Sequence, residues 1–352
     1  MAYTTIDNPE LYFQVKTYTG NGGTLAITLD GSEDMSPNFV WIKERNSTSS
    51  HALTDTVRGN TKKLKSDGND AEETNTNLIT SFDSDGFTLG NNGNANQSSS
   101  QTYVAWNWKA GTSFTNDASG TGIGSIDSAG SVNQDAGFSI ISYTGTGSAA
   151  TVAHGLGSAP RMIIIKDRSN SRNWGVYHQS MGNTYAMYLD LNNEKGGGNS
   201  SFWNSTSPTS SVFSINTRNE VNASSANMIA YCFAEKQGYS KFGSYAANEN
   251  VNGSFIHLGF KPAFVILKQT NLARDWNMFD NKRSSFNAVS KYLRPNQSGS
   301  EDSGEEYVDF LSNGFKIKNT GNRFNDAGGT YIYMAFAEQP FVTSTGVPAT
   351  AR

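Results

Sequence analysis

The feature that most constrains this chain is a set of motifs that recurs three times in the same order. Each copy contains a proline followed by an apolar run that ends in lysine, at residues 37–43, 160–166 and 262–268. Each copy then closes on a run rich in aromatic residues, at 103–108, 228–233 and 331–336. Agreement in order and spacing along the whole chain predicts one ancestral unit of about 100 residues, an ordinary domain size.

The composition favours strands over helices. Charged residues make up only 16% of the chain, and small polar turn-formers such as the 35 glycines take their place. Short apolar runs separated by such residues are typical of many short strands joined by tight turns. We therefore predict an all-β fold of three tandem antiparallel β-sandwich repeats, jelly-roll-like in character, rather than an α/β enzyme.

The motif positions also set the expected domain boundaries. The first sandwich is expected at 1–111 and the second at 137–238, with a loose linker rich in Gly, Ser and Asn at 112–136. The third sandwich is expected at 239–352 and ends in a polar tail. Because no linker separates the last two copies, we expect those two to pack as a pair.

The closing strand has one bulky face and one small face. In the first copy Val104, Trp106 and Trp108 alternate with Ala105 and Asn107, and similar rows recur in the other copies. Since side chains alternate across a strand, we expect the bulky row to face the core of each repeat. The small row is then expected against a neighbour or solvent.

Two further charged patterns recur. Lys43, Lys166 and Lys268 end the apolar runs, where we expect each strand to leave the core for water. Aspartate and arginine recur three residues apart at Asp55/Arg58 and Asp280/Arg283, whereas the middle copy has His178 and Met181. An ion pair that steadies a loop is the expected role.

Bulk properties exclude several classes of function. The net charge is −4, and no basic patch of the kind that binds nucleic acid is visible. The single cysteine, Cys232, permits no intrachain disulfide, and its aromatic neighbours predict a buried thiol. The N-terminus resembles no secretory signal, and no apolar run reaches the ~20 residues needed to cross a bilayer. We expect a soluble protein made in a cytoplasm.

We predict no catalytic residue, no metal site and no cofactor. The AHGLG phrase around His154 lacks the Gly-x-Ser-x-Gly elbow of an esterase and is a natural turn. The calcium-like start at 83–86 lacks the rest of that loop, so a hairpin is the better interpretation. The carboxylates at 72–73 and 301–306 are expected in solvated loops, not facing each other as in a glycosidase.

Several phrases resemble a family of repeat-containing proteins in marine bacteriophages. They include YTGNG at 18–22, FVWIK at 39–43, SFDSDGF at 81–87 and YVAWNWKAG at 103–111. VAHGLG at 152–157, KFGSY at 241–245 and YIYMAFAE at 331–338 extend the resemblance over nearly the whole chain. It implies a virion or tail-fibre-like protein and supplies no catalytic residues. The middle copy departs by lacking the Asn/Asp-Gly hairpin, and no long shaft accompanies the repeats.

Three functions remain open at this point. The first is a tail-fibre or receptor-binding protein of the virion, in which the faces of Trp203 and Trp276 would stack on host cell-surface glycans. The second is a capsid decoration or head-spike protein, and the third a polysaccharide-degrading enzyme. Other virion proteins are the expected partners. Homotrimerisation fits either structural role, and three repeats in one chain could instead fill a pseudo-threefold position as a monomer.

Overall fold

The computed structural model describes residues 2–198, 200–304, 307–320 and 323–350. Strands account for 41% of the structure and helices for 4%, and the sheets are antiparallel. These proportions confirm the all-β prediction. Within the described ranges, no helix is long and apolar enough to cross a membrane.

The first segment follows a short 3-10 turn at Pro9–Leu11. Its strands are β1 (Phe13–Thr19), β2 (Leu25–Thr28), β3 (Phe39–Glu44), β4 (Ala52–Asp55), β5 (Lys62–Lys63), β6 (Glu73–Thr74), β7 (Ile79–Asp83), β8 (Gly86–Leu89) and β9 (Thr102–Trp108).

The second segment is the longest and holds both short α-helices. It comprises β10 (Thr112–Asn116), α1 (Ala118–Thr121), β11 (Ser128–Asn133), β12 (Phe138–Thr144), β13 (Ala150–Ala153), β14 (Met162–Asp167), β15 (Gly175–His178), a 3-10 turn (Gln179–Met181), β16 (Tyr185–Tyr188), β17 (Gly196–Gly197), β18 (Val212–Ile215), α2 (Asn219–Asn222) and β19 (Asn227–Phe233).

The third segment contains the two longest strands of the chain. It comprises β20 (Ser240–Ala246), β21 (Phe255–His257), β22 (Phe260–Gln269), β23 (Asn277–Asp280), β24 (Val308–Leu311), β25 (Gly314–Ile317) and β26 (Thr330–Pro340).

One order of four strands occurs in each segment. The orders are β1-β9-β3-β4, β12-β19-β14-β15 and β20-β26-β22-β23, so the aromatic closing strand always lies beside the proline-to-lysine strand. A smaller sheet accompanies each, in the orders β2-β8-β7, β13-β18 and β21-β25-β24. All six residues of β3 and of β14 are buried, which explains why those runs are apolar on both faces.

The two faces of the closing strands point the opposite way from the prediction. Val104, Trp106 and Trp108 belong to one buried cluster to which all three segments contribute, together with Phe233 and Phe336. The small row instead packs inside its own segment: Ala105 lies in a cluster with Ile27 and Phe87 of the smaller sheet. The bulky row therefore fills the core that the three segments share, and the small row faces the smaller sheet of its own segment.

The expected linker at 112–136 is wrong. Strands β10 and β11 form a hairpin, and β11 pairs with β12, so the sheet of the second segment grows to eight strands. Gly130, which suggested flexibility, serves close approach, because a Cβ there would collide with the carbonyl oxygen of Ile140. The last two segments do not form a separate pair either, since all three share one central core.

Candidate functional site

The three segments are joined in a closed ring by hydrogen bonds from equivalent side chains. The residue directly before β4, β15 and β23 donates in each case to a backbone carbonyl of another segment. The bonds run from Trp174 Nε1 to Lys65 O at 2.8 Å, from Trp276 Nε1 to Tyr188 O at 2.9 Å, and from His51 Nε2 to Arg294 O at 3.0 Å. The second segment thus contacts the first, the third contacts the second, and the first contacts the third.

The tautomer of His51 follows from its partners. Trp41 Nε1 donates to His51 Nδ1 over 2.9 Å, so Nδ1 is the acceptor and Nε2 carries the proton that bonds Arg294. Burial holds the pKa of His51 well below its usual range, so the ring is neutral. His51 therefore replaces the tryptophans at the equivalent positions as an indole-like donor.

Two glutamates bridge segments, and each contacts two arginines. Glu72 accepts hydrogen bonds from Nε and Nη2 of Arg168 at 2.9 Å and lies 3.2 Å from Nη1 of the buried Arg58. Glu301 accepts hydrogen bonds from Nε and Nη2 of Arg45 at 3.0 Å and lies 3.3 Å from Nη1 of the buried Arg283. The expectation of solvated carboxylates is wrong for both, because each glutamate side chain is only 10% exposed. The neighbouring Glu305 and Glu306 lie outside the described residues.

The recurring aspartate–arginine pairs form as expected and also join segments. Arg58 Nε lies 2.5 Å from Asp55 Oδ2, and Arg283 Nε lies 2.6 Å from Asp280 Oδ2. The same aspartate oxygens accept from the closing strand of another segment, where the donors are Tyr231 Oη at 2.7 Å and Trp106 Nε1 at 3.0 Å. Each aspartate therefore accepts from an arginine of its own segment and from a buried aromatic side chain of another segment. These two bonds fix the position of one segment relative to the other.

The contact between the second and third segments has the same backbone hydrogen bond as the other two contacts, but its side chains differ. Lys195 N donates to Thr270 O at 2.9 Å, as Glu72 N does to Arg168 O and Glu301 N to Arg45 O. Lysine and threonine stand at the glutamate and arginine positions, so this contact has no equivalent bridge. At the aspartate position His178 Nε2 bonds Tyr333 O at 3.1 Å, and burial lowers the pKa of His178 to about 4.

The three recurring lysines do not leave the core, contrary to the prediction. Lys43, Lys166 and Lys268 are fully buried, and each ammonium donates to backbone carbonyls. Lys166 reaches Asn69 O across to the first segment at 3.1 Å, and Lys268 lies 3.4 Å from Asn192 O of the second. Burial is the main cause that lowers the pKa to about 8 for Lys43 and Lys166 and to about 7 for Lys268.

The remaining residues with chemical potential have structural partners. His154 accepts from Leu156 N at 3.2 Å and contacts Thr209 O at 3.1 Å, and burial lowers its pKa to about 4, so this histidine is held by its own loop. Cys232 is buried, and burial raises the pKa of its thiol. Among the residues that the structure describes, no group of three or more His, Cys, Asp or Glu could hold a metal ion.

The two tryptophans expected to stack on sugars are both buried. Trp203 is 2% exposed and Trp276 is 1% exposed, and their Nε1 atoms bond Tyr185 O and Tyr188 O. Neither ring offers a face to solvent, so the expected binding role is wrong. The sequence suggested that both rings are exposed, because they lie near residues rich in Asn and Ser. In the structure they fill the space between segments and sheets.

The β10–α1–β11 hairpin is the clearest departure from the threefold pattern, because the strand orders of the other segments contain no counterpart. Two open cavities border it. The first, which we call the edge cavity, has a volume of about 440 Å³ and is lined by Asn116, Asp117, Asp127, Ser142, Arg168 and Asn227, among others. The second, which we call the insertion cavity, has a volume of about 540 Å³ and is lined by Tyr12, Lys109, Thr112, Phe114, Asp135 and Gly155, among others.

The insertion cavity combines an apolar wall with groups of both charges. Phe114 and Tyr12 are half-buried, and Asp135 is exposed on the turn between β11 and β12. Both cavities fall in the size range of small-ligand sites. Neither cavity was predicted from the sequence, because residues 112–136 have the composition of a linker. The available signal was Phe114, the one aromatic residue in that stretch.

Comparison with known proteins gives a family without an assigned activity. A family model described as a domain of unknown function (DUF7483) matches residues 8–340. No curated protein and no solved structure matches the chain. The match covers all three segments, so the family unit is the whole ring and not a single copy.

Proposed function

The chain belongs to this family of unknown function, and we propose that it is a non-enzymatic structural and adhesive protein of a bacteriophage particle. Its main role in this proposal is that of a tail-fibre or receptor-binding component that recognises the host surface. The observation that carries it is the contrast between a threefold scaffold and one added hairpin, with open cavities on both sides of that hairpin.

We also propose a more specific description of the fold. We take the three segments to be tandem antiparallel β-sandwich repeats of jelly-roll-like character. The repeated strand order supports this, as does a separate buried cluster between the larger and smaller sheet of each segment. Duplication of one unit explains why equivalent residues make equivalent bonds between segments.

A non-catalytic role is supported by how the reactive residue types are used. Acid–base catalysis needs a group whose protonation changes within reach of a substrate. Here His51, His154 and His178 are buried and bonded to the backbone. Glu72 and Glu301 are held by two arginines each. These residues stabilise the fold, as expected of a structural protein.

Adhesion fits the surface that remains. Loops rich in asparagine, serine and glycine present many donors and acceptors without a strong net charge, which suits neutral polar ligands such as glycans. The two cavities give such a ligand concave surfaces on rigid strands. In this proposal the partners are other virion proteins and a host cell-surface glycan.

Capsid decoration is the second candidate, and the closed ring favours it. A single chain with three similar sides matches a threefold position on a symmetric shell. The ring supplies pseudo-threefold geometry without association of three chains. A decoration protein would use the faces of the ring and would not need the cavities.

The deciding experiment is the copy number of the protein in purified particles. Quantitative mass spectrometry against the major capsid protein would give it directly. A small number that matches a tail symmetry supports the receptor-binding role, whereas hundreds of copies would move the assignment to capsid decoration. Absence from the particle would overturn both structural roles.

A further inference from the structure

We propose that the insertion cavity is a subsite for the ring of a neutral saccharide. This inference rests on the proposed adhesive function and adds the ligand class and the residues that bind it. The cavity lies where the N-terminal segment, the end of β9 and the β10–β11 hairpin meet, and among the described strands only the second segment has this hairpin.

The apolar wall of the cavity suits the carbon-bound hydrogens of a sugar ring. Phe114 packs against Val132 and Gly155, and a Cβ on Gly155 would lie only 2.9 Å from Phe114 Cδ2. Glycine at 155 therefore lets the phenyl ring lie close to the backbone while the rest of the ring faces the cavity. Tyr12 adds a second ring, which is set edge-on against Tyr239 with centroids 5.9 Å apart.

The phenol of Tyr12 supplies a donor. Burial and the charge of Asp135 both raise the pKa of Tyr12, so its hydroxyl stays protonated at neutral pH. Asp135 lines the same cavity as Tyr12. A hydroxyl and a carboxylate that line one cavity can bond different hydroxyl groups of one sugar, the phenol as donor and the carboxylate as acceptor.

The charges that line the cavity select a neutral ligand. Lys109 and Asp135 carry opposite charges, so the lining has no net formal charge. An anionic sugar would meet Asp135, and a cationic ligand would meet Lys109. A neutral saccharide satisfies both, because its hydroxyl groups donate to the carboxylate and accept from the ammonium.

The frame of the cavity is fixed before a ligand arrives. Lys109 N donates to Tyr12 O at 3.0 Å, which ties the end of β9 to the N-terminal segment. Asn133 Oδ1 accepts from Ala136 N at 2.9 Å, and Gln134 Nε2 donates to Gly155 O at 2.8 Å. Binding to such a frame orders few groups, so little of the interaction energy is lost.

The test is titration of the full chain, labelled with ¹⁵N, with methyl glucoside, methyl galactoside, methyl mannoside and N-acetylglucosamine. Sialic acid and glucuronic acid serve as anionic probes. We expect at least one neutral probe to shift the amide signals of Thr112, Phe114 and Asp135 with saturation in the millimolar range. Phe114→Ala should weaken that binding about tenfold.

Matched controls separate the cavity from general surface effects. Phe286→Ala removes a phenyl ring that is 78% exposed in the third segment, and it should leave binding unchanged. Asp135→Asn should weaken binding, whereas Asp34→Asn, on an exposed loop of the first segment, should not. Tyr12→Phe, which removes only the hydroxyl, should weaken binding less than Phe114→Ala.

Three results would overturn the inference: no shift at the cavity with tens of millimolar of any neutral probe, tighter binding of the anionic probes, or binding that Phe114→Ala does not change. These outcomes are distinct from failure of the proposed function. A protein that is present in the particle but binds no probe contradicts the subsite alone. A protein that binds saccharide but is absent from the particle contradicts the virion role alone.

Discussion

Trp174 Nε1 donates to the carbonyl oxygen of Lys65 at 2.8 Å, and this bond joins the second segment to the first. Its counterpart from His51 to Arg294 spans 243 residues of sequence. The first and third segments are therefore joined in the same way as segments that are adjacent in sequence. The ring is closed by specific bonds and not merely by apolar contact.

Trp276→Phe should lower stability without changing saccharide binding. The substitution keeps an aromatic ring in the core but removes the donor to Tyr188 O, so this partly buried carbonyl loses its bond to the indole. We expect a loss of about 1–3 kcal/mol in the free energy of unfolding, measured by chemical denaturation. Phe114→Ala should show the reverse pattern, with weaker saccharide binding and a smaller loss of stability. Equal effects on binding would contradict the assignment of Trp276 to the scaffold.

Glu301→Ala should destabilise the chain strongly. The change leaves Arg45 without its bidentate partner and leaves the buried Arg283 with Asp280 as its remaining carboxylate contact. Breaking a buried charge network in this way costs about 3–5 kcal/mol. Lys195→Ala is the matched control, because Lys195 occupies the equivalent position without a bridge, and it should cost less than about 1 kcal/mol. Similar losses for the two variants would show that the bridge contributes little.

Acid should destabilise the protein between pH 6.5 and 4. His154 and His178 have folded-state pKa values of about 4, below the ordinary value of 6.5, so the unfolded chain binds more protons in this window. The free energy of unfolding then falls as the pH falls, by up to about 1.4 kcal/mol per pH unit for each histidine. His178→Gln should reduce this slope in denaturation curves recorded at several pH values. A slope that His178→Gln leaves unchanged would contradict this prediction.

The buried lysines should resist amine modification. Because their pKa values are lowered, a large share of these amines is neutral and therefore nucleophilic near pH 8. If they were exposed to solvent, they would react quickly. Because Lys43, Lys166 and Lys268 are fully buried, we expect mass spectrometry to find them unmodified after brief acylation of the folded protein. The exposed Lys282 should react, and all four should react in denaturant. Rapid labelling of Lys268 in the folded protein would contradict the closed contact between the second and third segments.

The strand content could be predicted from sequence because it depends on local pattern. The proline-to-lysine runs became β3, β14 and β22 at the expected places. Period-two alternation also identified both faces of the closing strands. It could not predict which face packs in the central core and which packs against the smaller sheet, because a strand that is buried on both faces is apolar on both.

The side-chain bonds that anchor loops inside each segment were beyond prediction for a different reason. Asn96, Asn222 and Asn325 are buried and anchor equivalent loops by accepting from the backbone and donating to carbonyls. In the sequence they stand among many other asparagines, and nothing local marks them. The candidate cavity was missed on similar grounds, because the hairpin that forms it has the composition of a linker. The pairing of β11 with β12 shows that this stretch is part of the sheet and not a linker.

The two ends of the described chain meet on one side of the ring. Asp7 Oδ1 accepts from Ser344 N at 2.6 Å, and Tyr3 Oη donates to Gly259 O at 2.7 Å. A short peptide could therefore join these ends while a new start is opened between the second and third segments near Gly238. Such a circular permutant would keep the three bonds that close the ring, from Trp174, Trp276 and His51, because none of them involves residues near the new start. The ring therefore depends on the cyclic direction of these contacts and not on which segment comes first in the sequence.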